Sequence, residues 1–418
     1  MSTKHAVPMG RFVFIALLFA LASRPQAQAT LTASPDGLSL TEALAQAQPG
    51  DRIVVRPGIY REPTLVVDKP VVLDGEPGAV LDGEGERGLL RIEADSVTVR
   101  GLTFRDTGLS FVEDRAALQV EEVGGCTIEG NRFEETFFGI YLAQVRDCTV
   151  SDNILIGANE RESRSGNAIH LWYCRRVTVV RNEVSRHRDG IYFEFVEDSV
   201  VEDNLSEANQ RYGLHFMFSD RCRYAHNTFR ANGAGVAVMY TEHVEMVENV
   251  FEDNWGPAAF GLLLKDIDDA AIVGNRFIRN TVGLFVESTD RVEVSDNQFI
   301  GNGWAVKVFA SAQANRFSGN DFVANTFDVG TNSRHQTSTF EGNYWDAYRG
   351  YDFDRDGVGD VPFRPVRLFS LIIEDHEPAL LLLRSLFVDL LDLAERVAPS
   401  LTPETFADAS PAMRRLSR

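Results

Sequence analysis

Two groups of side chains in this chain have types and spacings that suit metal binding. The first contains soft nitrogen and sulfur donors, with a carboxylate among them: His170, Glu194, His215, Met217 and Met239. Imidazole and thioether groups are ligands that Cu(I) prefers. If His215, Met217 and Met239 meet on one face of the fold, they predict a copper site, with His170 or Glu194 as neighbours. The alternative is a stripe of exposed side chains used for protein contact.

The second group is acidic and consists of Asp352, Asp354, Asp356 and Asp360. Alternate carboxylates before a glycine turn, here Gly357, are the arrangement by which calcium loops gather oxygen ligands. The loop departs from a full EF-hand because Phe363 stands where the bidentate glutamate belongs. The pattern predicts a calcium site, and an acidic turn without a metal is the alternative.

A repeat of about 22 residues organises most of the chain. Asparagine anchors recur at 131, 153, 182, 204, 227, 249, 275, 297, 320 and 343. Fourteen residues before most of them stands a glycine, and two residues after most of them stands an aromatic or aliphatic residue. A unit of this size cannot bury its own inward face and must stack on its neighbours. The repeat predicts an all-β fold, a right-handed parallel β-helix of the pectate-lyase-like solenoid type, with about a dozen coils over residues 30–363.

The strand after each glycine alternates between inward and outward residues, as a half-buried strand does. In the coil that starts at Gly213, Leu214 and Phe216 point inward, whereas His215 and Met217 point outward. Neighbouring coils are separated by about 4.8 Å, and alternate residues on a strand by about 6.5–7 Å. The outward stripe described above is therefore expected on one strand face. Two long coils, with insertions near residues 157–165 and 255–260, predict loops beside the solenoid, either functional or neutral.

Four cysteines are present, and their spacing matches neither a zinc site nor a CxxC pair. Cys126, Cys148 and Cys222 each stand five residues before an anchor, where other coils carry valine, so they are expected to point inward. Cys126 and Cys148 fall in adjacent coils, which leaves open whether they form a disulfide.

The two ends of the chain differ from the repeat. Residues 1–29 resemble a signal peptide, with a charged start, a short apolar run and a small-x-small cleavage site, which indicates the periplasm. Ser39 and Glu42 form a capping box that opens a short cap helix. Residues 364–418 change in composition, and 371–398 are predicted to be helical.

The helical segment at 371–398 is rich in leucine but carries Arg384, Asp389 and Asp392. Three charges in one short apolar run oppose insertion across a bilayer. We expect the segment to dock on a membrane partner. The alternative is a cap helix folded over the last coil near Trp345.

Charge and motif content restrict the function further. The net charge of −20 disfavours a nucleic-acid partner. The Gly-His-Gly and Asp-Pro-His-Asp strings of sugar-processing β-helix enzymes are absent from the sequence. Glu194 and Glu287 share an outward column but are about 19 Å apart by coil spacing, too far to act on one bond. A non-enzymatic role is expected, and a polysaccharide-binding or polysaccharide-modifying β-helix is the rival.

Several stretches resemble one family of β-helix proteins. They are residues 212–219 (YGLHFMFS), 235–240 (GVAVMY), 342–346 (GNYWD) and 350–365 (GYDFDRDGVGDVPFRP). They are similar to the NosD family, periplasmic accessory proteins in the maturation of nitrous oxide reductase. The resemblance implies a copper-binding protein that works with an ABC transporter permease and ATPase, with the reductase and with a copper chaperone. On this basis the chain is expected to assist assembly of the reductase's copper centres by transferring copper or another cofactor component, and to reach the membrane through its partner.

Overall fold

The computed structural model describes residues 28–110, 115–158, 161–333, 337–398, 401–403 and 406–415. The predicted signal peptide lies outside these residues up to residue 27. From residue 30 onward the chain winds through three parallel sheets, which we name sheets A, B and C in the order in which each coil visits them. The predicted parallel β-helix is confirmed.

Sheet A has 14 strands within the described part of the chain, and each pairs with the strand one coil away. Its strands are Thr30–Ala33, Arg52–Val55, Val72–Gly75, Thr98–Arg100, Thr127–Glu129, Thr149–Ser151, Thr178–Val180, Val200–Glu202, Arg223–Ala225, Glu245–Val247, Ala271–Val273, Glu293–Ser295, Arg316–Ser318 and Thr339–Glu341. Threonine and valine recur in them because β-branched residues suit an extended, half-buried backbone.

Sheet B follows the asparagine anchors and has 13 strands over the same described ranges. Its strands are Gly58–Tyr60, Ala79–Asp82, Thr103–Arg105, Arg132–Glu134, Ile154–Ile156, Glu183–Ser185, Leu205–Glu207, Thr228–Arg230, Val250–Glu252, Arg276–Ile278, Gln298–Ile300, Asp321–Val323 and Tyr344–Trp345. The middle residue of most strands is buried, and these residues include the predicted aromatic column. From Phe229 to Trp345 five successive ring pairs stack with centroids 4.0–5.6 Å apart.

Sheet C has 12 strands among the described residues, and the longest of them contain nine residues. Its strands are Leu65–Val67, Leu90–Ile92, Ala116–Glu121, Phe138–Ala143, Ile169–Trp172, Ile191–Glu194, Tyr212–Met217, Ala234–Glu242, Phe260–Asp268, Val282–Asp290, Trp304–Val308 and Phe327–Gly330. The outer face of this sheet carries the stripe that the sequence singled out.

The asparagine anchors form a hydrogen-bonded ladder at the corner between sheets A and B. Asn227 is typical: its backbone N–H and its Nδ2 both donate to Asn249 Oδ1 at 3.0 Å, and Nδ2 also donates to Val201 O at 2.8 Å. The predicted stacking of the anchors is confirmed. Five residues further on, a second ladder at the corner before sheet C runs through Asn209, Asn232, Asn254, Asn280, Asn302 and Asn325. We had not predicted this second ladder.

The glycine column opens sheet C, as predicted, but its cause is close approach rather than a sharp backbone bend. A Cβ placed on Gly213 would lie 2.9 Å from Gly235 O and 2.8 Å from Asn232 Nδ2. A Cβ on Gly235 would lie 2.3 Å from Gly261 O. At Gly213 and Gly235 a larger residue would push the neighbouring coils apart, whereas one coil of the column accommodates Ala168.

The N-terminal end is closed by helix α1, Leu40–Gln46. Ser39 Oγ accepts from the backbone N–H of Glu42, and the Glu42 carboxylate accepts from the backbone N–H of Ser39. The predicted capping box is confirmed. Leu40, Ala43 and Leu44 are buried against the first coil.

At the other end the regular coils stop at Trp345, but the tail adds a further partial rung. Asp408 bridges to both Phe340 and Phe363, and Ala412 bridges to Tyr344. The side chain of Asp408, which is fully buried, ends the first asparagine ladder. The C-terminal segment is therefore not solely helical.

The segment 371–398 is largely helical, as predicted, but it is not one continuous helix. The segment forms helix α2 at Leu368–Asp375, a 3-10 helix at Glu377–Leu382 and helix α3 at Leu386–Val397. Pro378 lies in the first turn of the 3-10 helix, where it follows the non-helical His376. Because proline has no N–H to donate to the carbonyl four residues earlier, an α-helix cannot continue unbroken through Pro378, and the break falls at His376.

Helix α2 packs laterally on the outer face of sheet C near the end of the solenoid. Phe369 and Ile373 contact a buried cluster with Trp304 and Phe327, and Lys307 forms an ion pair with Glu374. Helix α3 covers little of this surface, and much of its apolar side is exposed. Among the described residues, none of the helices is both long and apolar enough to cross a bilayer.

Candidate functional site

The outer face of sheet C brings the predicted copper ligands into two neighbouring columns. In one column His170, Tyr192 and His215 are direct partners on successive coils. In the other, Glu194 pairs with Met217, and Met217 pairs with Met239. This strand register agrees with the outward positions that the repeat predicts for these residues.

The two methionines form the soft centre of this face. Met217 and Met239 are partly exposed partners on adjacent strands. The Tyr192 hydroxyl lies 3.8 Å from Met217 Sδ. Beyond Met239 the column continues to Lys265, whose Nζ lies 3.7 Å from Glu287. The stripe is thus bounded on one side by the carboxylate of Glu194 and on the other by an ion pair.

His170 is separated from the other predicted ligands by the ring of Tyr192. The centroid distances are 4.7 Å from His170 to Tyr192 and 4.9 Å from Tyr192 to His215. Burial, reinforced by the positive charge of Arg188, lowers the pKa of His170 to about 3. His170 is therefore a neutral imidazole within an aromatic column, two coils away from Met217.

His215 is outward-facing but covered: only 6% of its surface is exposed. Its ring packs against Tyr192 and Tyr212, with centroids 4.9 and 4.7 Å away. Its Nδ1 lies 3.8 Å from Oδ2 of Asp189, a carboxylate that is itself fully buried. Sequence spacing did not indicate this contact, because three-dimensional packing brings Asp189 to His215.

The first insertion packs beside this buried pair. Glu162 in the insertion lies 3.5 Å from Arg211, and Arg211 in turn lies 4.0 Å from Asp189. Ser165 Oγ also accepts from the Gln210 amide at 3.0 Å. The insertion therefore contributes to the walls of the site. The second insertion contributes an exposed Trp255 instead.

A ladder of aromatic rings, all at least partly exposed, runs beside the methionines, and we had not predicted it. It consists of Tyr173, Phe195, Phe218 and Tyr240, each directly after a member of the Trp172–Met239 column. The rings are nearly parallel, with centroids 4.5–5.1 Å apart. All four residues have φ between 50° and 55°. The same left-handed conformation recurs at this corner in other coils, at Gln144, Asp266 and Ser288, so it belongs to the turn of the solenoid. The 22-residue spacing of aromatics at this position was a signal that could have found it.

An open acidic groove follows the ladder. It is lined in part by Asp220, Glu242, Asp266 and Asp268, next to Tyr240. Asp220 Oδ1 accepts from Thr241 Oγ1 at 3.0 Å, which holds that carboxylate against the sheet. The groove adds negative charge beside the aromatic edges and the methionines.

The predicted calcium loop lies at the end of the solenoid, far along the chain from sheet C's stripe. Oxygen atoms of Asp352, Asp354 and Asp356 lie within 4.8 Å of one another. Gly357 turns the chain with φ of 91°, and its N–H donates to Asp352 at 3.0 Å. Asp360 does not join the group; its carboxylate instead accepts from Phe353 N–H at 2.6 Å.

The cysteines are all buried, as expected for inward residues. Cys126 and Cys148 are joined in a disulfide between adjacent coils, so the structure answers the question that the sequence left open. Burial raises the pKa of Cys174 to about 11 and that of Cys222 to about 12. These two thiols therefore stay protonated and are poor candidates for surface copper ligands.

The donor set on sheet C suits copper, and a structural feature supports this independently of the sequence pattern. His215 Nδ1 and Asp189 Oδ2 are both buried, and within the described structure neither has a hydrogen-bond partner. A histidine backed by a carboxylate and followed by two thioethers is a soft, neutral donor set of the kind Cu(I) takes.

Solved structures similar to this chain show the fold. The A-module of the mannuronan C-5 epimerase AlgE6 from Azotobacter vinelandii matches with a TM-score of 0.52 and 17% identity, over 72% of this chain and 87% of that one. The surface adhesin PfbA of Streptococcus pneumoniae matches with a TM-score of 0.50 and 11% identity, over 72% of this chain and 85% of that one. An enzyme module and an adhesin share this architecture, so the fold does not specify an activity.

Sequence relatives are more specific. A protein of Pseudomonas aeruginosa named a probable ABC transporter binding protein NosD is 31% identical over 90% of this chain and 94% of its own length. A protein of the same name from Stutzerimonas stutzeri is 28% identical over 96% of this chain and 93% of its own length. The family described as periplasmic copper-binding protein (NosD) matches residues 158–350, which include the whole methionine and histidine stripe. The chain therefore belongs to the NosD family.

Proposed function

We propose that this protein is a periplasmic, non-enzymatic subunit of an ABC-transporter complex that assists assembly of the copper centres of nitrous oxide reductase. In this role it binds copper as cargo and passes it on. The observation that carries the proposal is the outer face of sheet C, where His215, Met217 and Met239 are neighbours in the strand register. Family membership supports it, since the family is described as periplasmic and copper-binding.

The character of the donors suits transfer rather than permanent storage. Met217 and Met239 are partly exposed, so a partner can approach them. Thioether and imidazole are neutral ligands that hold Cu(I) without a thiolate. The acidic groove next to Tyr240 provides negative charge that would attract a cation or a basic protein surface, such as that of a copper chaperone.

The transporter contact is proposed for the C-terminal helices. Exposed apolar side chains there include Leu381 at 91%, Leu386 at 72% and Val397 at 78%. A contiguous apolar surface on a secreted protein usually marks an interface. The names of the two relatives, which both refer to ABC transporter binding, agree with a permease as the occupant and with its ATPase as an indirect partner.

The rival function, binding or modification of a polysaccharide, is less well supported. Sugars stack on the open faces of aromatic rings, but in the ladder from Tyr173 to Tyr240 the faces are occupied by neighbouring rings and mainly edges point outward. Glu194 and Glu287 are four coils apart in one column, so they do not form a pair of carboxylates that could act on one glycosidic bond.

The test is a Cu(I) competition titration against a chromogenic chelator. The variant His215→Ala/Met217→Ala/Met239→Ala should lose most of the Cu(I) affinity of the wild type. The matched control His226→Ala/Met413→Ala removes one imidazole and one thioether away from this face and should bind as the wild type does. Unchanged affinity in the triple variant would show that the copper ligands lie elsewhere.

A further inference from the structure

A buried carboxylate and a buried imidazole face each other without completing a hydrogen bond. Asp189 Oδ1 accepts from Tyr212 N–H at 3.2 Å, whereas Oδ2 has no partner within the described structure. His215 Nδ1 lies 3.8 Å from Oδ2 and likewise has none. One group is an acceptor and the other can be a donor, so a small shift of the ring would satisfy both.

The charge of Asp189 is compensated but its second oxygen is not bonded. Arg188 Nε and Arg211 Nε lie 3.6 and 4.0 Å from the carboxylate, beyond hydrogen-bond distance. A buried polar atom left without a partner costs about 1–3 kcal/mol. Two donors that lack partners in the described structure face this oxygen, Arg188 Nε at 3.6 Å and His215 Nδ1 at 3.8 Å. Of the two, His215 is the one that shares its strand with Met217.

We propose that Asp189 is a positioning residue for His215. By accepting the Nδ1–H, it selects the tautomer in which Nε2 keeps its lone pair and remains available to Cu(I). Histidines that bind metals usually donate their second ring N–H to a carboxylate or carbonyl in this way. The inference rests on the proposed function and explains why a fully buried aspartate stands directly before Gly190 at the edge of sheet C.

The other histidine of the column is held in the opposite tautomer. Asn167 Oδ1 accepts from Arg188 at 3.1 Å, which turns the Asn167 amide NH₂ toward His170 Nδ1 at 3.3 Å. Nδ1 of His170 is therefore an acceptor, and the ring proton is on Nε2. The two histidines thus differ in the group that contacts Nδ1: Asn167 for His170 and Asp189 for His215. Of the two, His215 is the one whose Nε2 has a free lone pair for Cu(I).

The first insertion secures this arrangement. Glu162 pairs with Arg211, and Arg211 stacks over the Tyr212 ring at 5.1 Å while its guanidinium faces Asp189. The Tyr212 ring also packs on His215. The insertion therefore steadies both the carboxylate and the imidazole from the solvent side.

The test combines tautomer and metal measurements on the whole protein. In metal-free protein labelled with ¹⁵N-histidine, the His215 signals, assigned with His215→Ala, should report the Nδ1–H tautomer. In Asp189→Asn, which keeps the side-chain shape but has one acceptor oxygen for two donors, this preference should be lost. Cu(I) affinity should fall about 10–100-fold in the same variant.

Asp82→Asn is the matched control. Asp82 is 4% exposed and pairs with Arg105 on sheet B, so its replacement should lower stability without changing the His215 tautomer or Cu(I) affinity. An Nε2–H tautomer in the wild type, or unchanged Cu(I) affinity in Asp189→Asn, would overturn the inference. A wild type that has the Nδ1–H tautomer but no Cu(I) affinity would overturn the copper proposal and support the Asp189–His215 pairing.

Discussion

At the scale of single residues, the end of the asparagine ladder differs chemically from its middle. Each anchor both donates to the next rung and accepts from the previous one, whereas Asp408, which closes the ladder, only accepts. Its carboxylate receives five N–H groups, from Gly342, Asn343 backbone, Asn343 Nδ2, Trp345 Nε1 and Ser410. A carboxylate is suited to a position where every neighbour is a donor.

Replacement of Asp408 by asparagine should therefore destabilise the last coils. The amide NH₂ would meet donors instead of accepting from them, and a buried donor without a partner costs about 1–3 kcal/mol. Urea unfolding followed by the fluorescence of the four tryptophans, which include Trp345, is the measurement. The exposed Asp198→Asn, which breaks surface ion pairs with Arg221 and Arg175, should cost about 0–1 kcal/mol. Equal losses in the two variants would contradict the capping role.

The acidic loop is proposed to bind Ca²⁺ through Asp352, Asp354 and Asp356. Calcium should raise the melting temperature of the wild type in a concentration-dependent manner, because a ligand that binds only the folded state stabilises it. Removal of the metal with EGTA should reverse the effect. Asp352→Asn should abolish the calcium response, whereas the exposed Asp95→Asn should retain it. A response that persists in Asp352→Asn would rule this loop out.

At the scale of elements, helix α3 offers its apolar side to a partner. Leu386, Leu390, Leu393 and Val397 are at least half exposed, whereas Val388 is buried on the opposite side. Removal of the whole segment after Pro365 would be a poor test of docking, since it would also remove Asp408 and the last rung.

Serine at the four exposed positions is the sharper experiment. The variant should keep the melting temperature of the wild type and lose co-purification with the ABC permease from detergent. Val388→Ser should have the opposite effect. It should lower the melting temperature, and the protein that still folds should co-purify with the permease. Undiminished co-purification of the fourfold variant would favour the alternative of a simple cap helix.

The strand beneath helix α2 contains a group that makes stability depend on pH. Burial, reinforced by the negative charge of Asp346, raises the pKa of Asp328 from 3.8 to about 7. Between these values the folded protein binds more protons than the unfolded chain, so this contribution to the free energy of unfolding falls as pH rises from about 4 to 7.

Asp328→Asn should remove that dependence. The difference in free energy of unfolding, variant minus wild type, should be larger at pH 8 than at pH 5 by about 1–2 kcal/mol. The figure is below what the full pKa shift would give because the side chain is partly exposed. Urea unfolding at the two pH values measures it. A constant difference between variant and wild type would show that Asp328 does not titrate in this range.

At the scale of the whole molecule, each coil contacts only its neighbours, so damage should remain local. Asn227→Ala removes a rung that bonds to Asn204 on one side and Asn249 on the other. Amide exchange should speed up across two or three coils around it, while distant coils keep their protection. Uniform acceleration over the entire solenoid would contradict this. Asn249→Ala should likewise speed up amide exchange locally, in a region centred one coil further along the solenoid.

The repeat made the overall architecture predictable because it is a local, periodic property. The spacing of Asn227 and Asn249, and the alternation around Leu214 and Phe216, are enough to specify coil length, strand position and the inward face. The outward column of Glu194, Met217 and Met239 followed from the same register. Features outside the repeat were harder to predict from the sequence. One example is the break in the C-terminal helical segment at His376.

The sequence alone therefore determined the solenoid, its anchors, the capping box at Ser39 and the columns that hold the candidate copper ligands. All of these depend on contacts at fixed multiples of one coil, which a period encodes. Only the tertiary structure decided that Asp189 faces His215, that Cys126 and Cys148 are bonded, and that Asp408 closes the ladder. Those contacts depend on side-chain direction, loop packing or a return of the chain over 65 residues, and no periodic signal carries such information.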